Sequence, residues 1–132
     1  MVRNVATILD VEGILAQLSE VTESERFRNR TWFVNGKGFA WQRPFSKADI
    51  KRFGAATPPD GPILAVRVVD LAEKEAVLAT ASKAFFTIPH FEGYPALLIQ
   101  LNAVDTEELR EAIVEAWLAC APQTLADAYL KK

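Results

Sequence analysis

The chain has 132 residues, half of them hydrophobic and 24% charged, with a formal net charge of -2. That is the length and composition of one globular domain large enough to bury a core without disulfide staples, and it excludes a disordered or collagen-like chain. One cysteine excludes an internal disulfide framework, and no run approaches the ~18 apolar residues of a membrane span, so a single domain over residues 1–132, cytoplasmic and without a membrane partner, is expected.

Met1–Asp10 lacks a long uncharged apolar core, because Asp10 and Glu12 interrupt it, and this argues against a signal peptide. Ile8, Val11, Ile14, Leu15 and Leu18 recur at helical spacing and predict a first helix within 7–18. Short strands are expected near 25–28 and 31–34. Asn35-Gly36 then gives a strong hairpin signal, since both residues tolerate positive φ, and 37–41 would be the returning strand. A strict two-residue loop would gather Arg30, Trp32, Val34, Lys37, Phe39 and Trp41 on one face, and Thr31, Phe33, Gly38 and Ala40 on the other. A longer loop would swap the faces.

Three helix starts carry the same signature: Ser46 before Asp49, Asp70 before Glu73, and Asp105 before Glu108. The first of these helices should stop at Gly54 and the second near Ser82. The third carries Leu109, Ile113, Ala116, Trp117 and Cys120 on one stripe. Pro122 opens a short terminal helix. The apolar, branched runs 63–69 and 96–101 read as central strands. This order predicts an α+β fold, with helices packed on an antiparallel or mixed sheet.

Between Arg26 and Arg52 the charge is concentrated: Arg26, Arg28, Arg30, Lys37, Arg43, Lys47, Lys51 and Arg52 face one acid, Asp49. Aromatic residues interleave with them, among them Trp32 and Trp41. Cations mixed with aromatics suit a surface that holds phosphates and stacks on bases. Arg26, Arg28 and Arg30 alternate and would point to one side of an extended strand, with Trp41 or Trp32 as the stacking ring. Lys47, Lys51 and Arg52 would add phosphate contacts from a short helix. A solvated basic surface whose aromatics point inward accounts for the same residues, and a pI of 5.4 lies below the range of a DNA-binding domain. Gly36-Lys37-Gly38 lacks Walker spacing and reads as a turn.

His90, the one histidine, lies in a loop with Glu92 and Tyr94 before a predicted strand. His90 and Glu92 could form a proton-transfer pair if that loop is extended. The same loop could line a pocket for a small molecule or a protein. Cys120 could act as a thiol nucleophile with His90, but its place on an apolar stripe predicts a buried, inert side chain. One His and one Cys make no zinc set, and no hydrolase, metalloprotease or dinucleotide-binding motif is present. No cofactor is expected, and a non-catalytic binding domain is favoured over an enzyme.

Residues 32–40, Trp-Phe-Val-Asn-Gly-Lys-Gly-Phe-Ala, resemble the early hairpin of the MmcQ/YjbR family. Residues 90–101, His-Phe-Glu-Gly-Tyr-Pro-Ala-Leu-Leu-Ile-Gln-Leu, with the helix of 105–120, resemble its late strand and helix. The resemblance implies a double-wing domain, similar in shape to frataxin-like domains, and an association with DNA drawn from likeness of fold. Many members carry Trp where Phe91 follows His90 here. The resemblance brings no catalytic residues.

Overall fold

The computed structural model describes residues 5–131. The amino-terminal reading falls partly on residues 1–4, outside the described residues. Within them the chain forms one six-stranded, wholly antiparallel sheet and five α-helices. Helix α1 spans Ile8–Ala16, and strands β1 (Thr22–Arg26), β2 (Asn29–Val34) and β3 (Lys37–Gln42) follow. Helix α2 is Lys47–Phe53, β4 is Ile63–Arg67 and α3 is Leu71–Thr80. Then come β5 (Phe85–Phe86), a 3-10 turn at Pro89–Phe91, β6 (Ala96–Gln100), α4 (Thr106–Cys120) and α5 (Gln123–Leu130). The strand order is β1-β2-β3-β4-β6-β5. None of these helices is long and apolar enough to cross a membrane.

The helix starts form as their residues require. Asp49 and Ser46 bond each other's backbone N–H at 2.9 and 3.1 Å. Asp70 accepts from the Glu73 N–H at 2.8 Å, and Asp105 from the Glu108 N–H at 2.9 Å. Each carboxylate satisfies an amide that the helix itself leaves unpaired. Gly54 ends α2 at φ +60°.

The two sides of the sheet bury separate clusters, as a period of two demands. Leu64, Val66, Leu97 and Ile99 pack on the side covered by α1 and α4, around Trp117. The Trp117 indole N–H donates to the Ser19 carbonyl at 3.0 Å, and its ring lies 5.4 Å from Tyr129. Ile63, Ala65, Ala96 and Leu98 pack on the other side with Ile88 and Phe91. We call these the helix face and the open face.

Two local departures matter for function. The predicted strand at 25–28 ends at Arg26. Phe27 and Arg28 instead form a two-residue turn, both at positive φ (51° and 65°), that joins β1 to β2. The Asn35-Gly36 turn forms with Val34 opposite Lys37, yet the expected faces do not hold. Phe33 pairs with Gly38, but Trp32 pairs with Ala40, so Phe39 is an extra residue in β3. This bulge sends both Phe39 and Ala40 into the helix-side core and reverses the facing of every residue after it. Trp41 therefore pairs with Thr31, not Arg30, and lies on the open face, away from Trp32.

Candidate functional site

The bulge places Trp41 in a cleft of about 400 Å³ on the open face. The hairpin supplies Arg26, Phe27, Asn29 and Thr31, Arg43 follows β3, and the loop between β5 and β6 supplies His90, Phe91 and Tyr94. The volume suits one small ligand.

Its aromatic wall is continuous. Trp41 lies 6.3 Å from Phe91 and 6.4 Å from Tyr94, and Phe91 meets Tyr94 edge-on at 5.6 Å and 89°. Such tilted packing is what ring quadrupoles favour. Two arginines sit over this wall: Arg43 is 5.6 Å from the Phe91 ring centre and Arg67 is 5.4 Å from that of Tyr94. Arg67 also donates to the Tyr94 hydroxyl at 3.3 Å.

Lys74, which sequence reasoning missed, fixes the loop that carries the wall. It is 6% exposed, and its ammonium donates to the carbonyls of Phe91 (2.6 Å) and Tyr94 (2.8 Å). Burial holds its pKa below the usual lysine value, and Glu92 opposes that shift. A lysine flanked by two glutamates in α3 gives no sign in sequence that its partners are carbonyls 17 and 20 residues away.

The cations of the cleft differ in commitment. Arg43 donates through Nη1 to the buried Asp49 carboxylate at 2.9 Å and to the Pro44 carbonyl at 2.6 Å. A guanidinium has further donors on Nη2 and Nε. Burial works against ionised Asp49, but the Ser46 N–H and Arg43 outweigh it and hold the carboxyl below its ordinary range. Arg26 lies 5.3 Å from the Phe27 ring centre and forms no ion pair among the described residues. Its guanidinium reaches across β2, where a side chain added at Gly38 would come within 3.3 Å of it. Phe27 itself is 84% exposed at the mouth of the cleft.

The other expected site residues lie elsewhere. Arg30 does not share a face with Arg26. It binds Glu12 (2.6 Å) and Glu23 (2.7 Å) over Trp32 on the helix face. These carboxylates raise its pKa, and the Arg30 hydrogen bond lowers that of Glu23. The alternation fails because the Phe27–Arg28 turn interrupts the strand; Arg28 is an exposed turn residue. Trp32 and Phe39 are buried and cannot stack on a base. Lys37 is exposed beside the second turn, Lys47 and Lys51 are exposed on α2, and Arg52 approaches Asp49 at 3.7 Å.

The His90–Glu92 pair does not form. The 3-10 turn at Pro89–Phe91 leaves His90 at the aromatic cleft, while Glu92 lines a separate hollow with Lys74 and Glu75. Cys120 is buried in the helix-side core, across the sheet from His90, and burial pushes its thiol pKa up. A Cys–His nucleophile is therefore not assembled. Among the described residues no group of His, Cys, Asp and Glu is placed to hold a metal ion.

The sequence pattern of the YjbR family matches residues 16–119. Uncharacterised proteins of Mycobacterium tuberculosis and Mycobacterium bovis are 44% identical to this chain over 102 residues, which span 75% of it and 78% of each relative. A crystal structure of a Deinococcus radiodurans protein, assigned to the domain family DUF419, superposes with a TM-score of 0.61. It covers 96% of this chain and 87% of that one at 17% identity, a likeness of fold.

Proposed function

The chain belongs to the YjbR family, and from that premise we propose that it is a non-catalytic binding domain whose open-face cleft takes a small anion carrying a planar ring. One observation carries this reading: the cleft brings Trp41, Phe91 and Tyr94 together with Arg26 and Arg43 in a ligand-sized space. The rings offer stacking area, and the guanidiniums offer bidentate donors to a phosphate or carboxylate. His90 at the rim adds a polar contact. The cleft's rings and guanidiniums are binding groups, and the proposal is one of binding.

Isothermal titration with a nucleoside monophosphate, the matching uncharged nucleoside and inorganic phosphate tests the reading. The monophosphate should bind at least roughly tenfold tighter than either fragment, a difference of about 1.4 kcal/mol. Arg26→Ala and Trp41→Leu should each remove most of that gain. Equal binding of all three compounds, or full affinity in Trp41→Leu, would overturn it.

A second reading, nucleic-acid binding, draws on the exposed Phe27, Arg28, Lys47 and Lys51 around the same face. Single-stranded DNA would then bind with a log–log salt slope of roughly -0.7 per phosphate contacted, and Lys47→Ala with Lys51→Ala would flatten it. DNA that fails to bind at low salt leaves the small anion.

A further inference from the structure

On the helix face, α3 and α4 do not close against each other. A groove of about 780 Å³ runs between them. Its floor is Val66, Phe85 and Leu97 of three adjacent strands, and its walls include Val77 of α3 and Leu118 of α4. One end is tied by the Ser82 N–H donating to Glu108 at 3.2 Å. At the groove margin stands Val69, 68% exposed in the connection from β4 to α3.

The rim of this apolar groove is acidic on both sides. Glu73 contributes from α3, and Glu108, Glu111 and Glu115 from α4. The last three recur at helical spacing, so they form a ladder along one edge about 10 Å long. Two cations on the flanking helices are committed elsewhere. Arg110 is engaged with Gln17 and Glu107, and Lys74 with the carbonyls beneath the aromatic cleft.

We propose that this groove docks a basic amphipathic helix of a partner protein. The charge complement decides the occupant. Apolar side chains at one-turn spacing would enter the groove, and Lys or Arg flanking them would meet the glutamates on either rim. An acidic helix would face like charges, and an uncharged one would leave the ladder without partners. The surface lies across the sheet from the aromatic cleft, so its occupancy does not depend on the ligand proposed there.

Fluorescence anisotropy of the full chain with a labelled synthetic helix, about four turns long with leucines at i, i+4, i+7 and i+11 and lysines elsewhere, tests the proposal. A matched peptide with glutamates in place of the lysines is the counterpart. The basic peptide should bind. Glu111→Lys with Glu115→Lys should weaken it by at least roughly tenfold, and Val69→Asp should weaken it several-fold. Glu25→Lys with Asp127→Lys makes the same change in net charge away from the groove and should leave affinity unchanged. These groove positions are exposed, so the variants keep the fold. Equal losses in the two charge-reversal pairs would overturn the proposal, because general attraction to an acidic protein would explain them. Binding of the acidic peptide with similar affinity would overturn it too. So would self-association through the basic α2 that Ile50→Asp abolishes while peptide binding is unaffected by the groove variants.

Discussion

Asp49 shows how one side chain serves two structures. It is 2% exposed, closes the capping box of α2 through Ser46, and anchors Arg43 at the edge of the aromatic cleft. Because its folded-state pKa lies below the unfolded value of about 3.9, the unfolded chain binds the extra proton in the window between the two. The contribution is fully present above about pH 5 and is lost as pH falls through the folded value. Asp49→Asn keeps a cap acceptor but removes the charge facing Arg43. It should cost on the order of 2 kcal/mol at neutral pH. Urea denaturation from pH 7 down to pH 3 should show the gap between the two proteins narrowing below about pH 4. A gap that stays constant across that range would mean that the ionised carboxylate is not what Arg43 requires. Lys74 plays the corresponding part beneath the Phe91–Tyr94 wall, with backbone carbonyls in place of a carboxylate.

The turn joining β1 to β2 holds the most costly backbone in the hairpin. A two-residue turn with positive φ at both positions suits Asn and Gly, and Phe is among the residues that resist it. Placing Phe27 there spends stability on an exposed ring at the mouth of the cleft. Phe27→Asn with Arg28→Gly should raise stability by about 1–2 kcal/mol, read as a higher urea midpoint. The same variant should bind the monophosphate more weakly, because the mouth loses the Phe27 ring. Higher stability with unchanged affinity would remove Phe27 from the site. This turn also marks where sequence reading stops. The helix starts at Ser46, Asp70 and Asp105, the Asn35-Gly36 turn and the stripe on α4 were legible because each follows from residues a few positions apart. Phe27–Arg28 carried no turn residues to announce it. The bulge at Phe39 was hidden because it depends on how β3 meets both β2 and the core. Together these two features decide which arginines and tryptophans share a face. Arg26, Trp41, Arg43, His90 and Tyr94 of the cleft could be named from sequence, but not separated from Arg30 and Trp32, and Phe27 and Phe91 were not singled out as site residues.

Across the whole molecule the sheet is a shared wall between two cores. Alternate residues of β6 belong to different ones: Leu97 and Ile99 to the helix face, Ala96 and Leu98 to the open face. Leu98→Ala and Ile99→Ala should each cost about 2–5 kcal/mol. Each should shift a single unfolding transition, with tryptophan fluorescence and far-ultraviolet circular dichroism coinciding. A variant in which the two signals separate would mean that the faces unfold independently. The margins of the same sheet have a consequence of their own. β1 is Thr-Glu-Ser-Glu-Arg, exposed at every position, and β5 at the far side is two residues long. An incoming strand would find charge on one flank and almost no hydrogen-bonding length on the other. The sheet is thus guarded at both borders against growth by strand addition, the route by which open β-structure turns into aggregate.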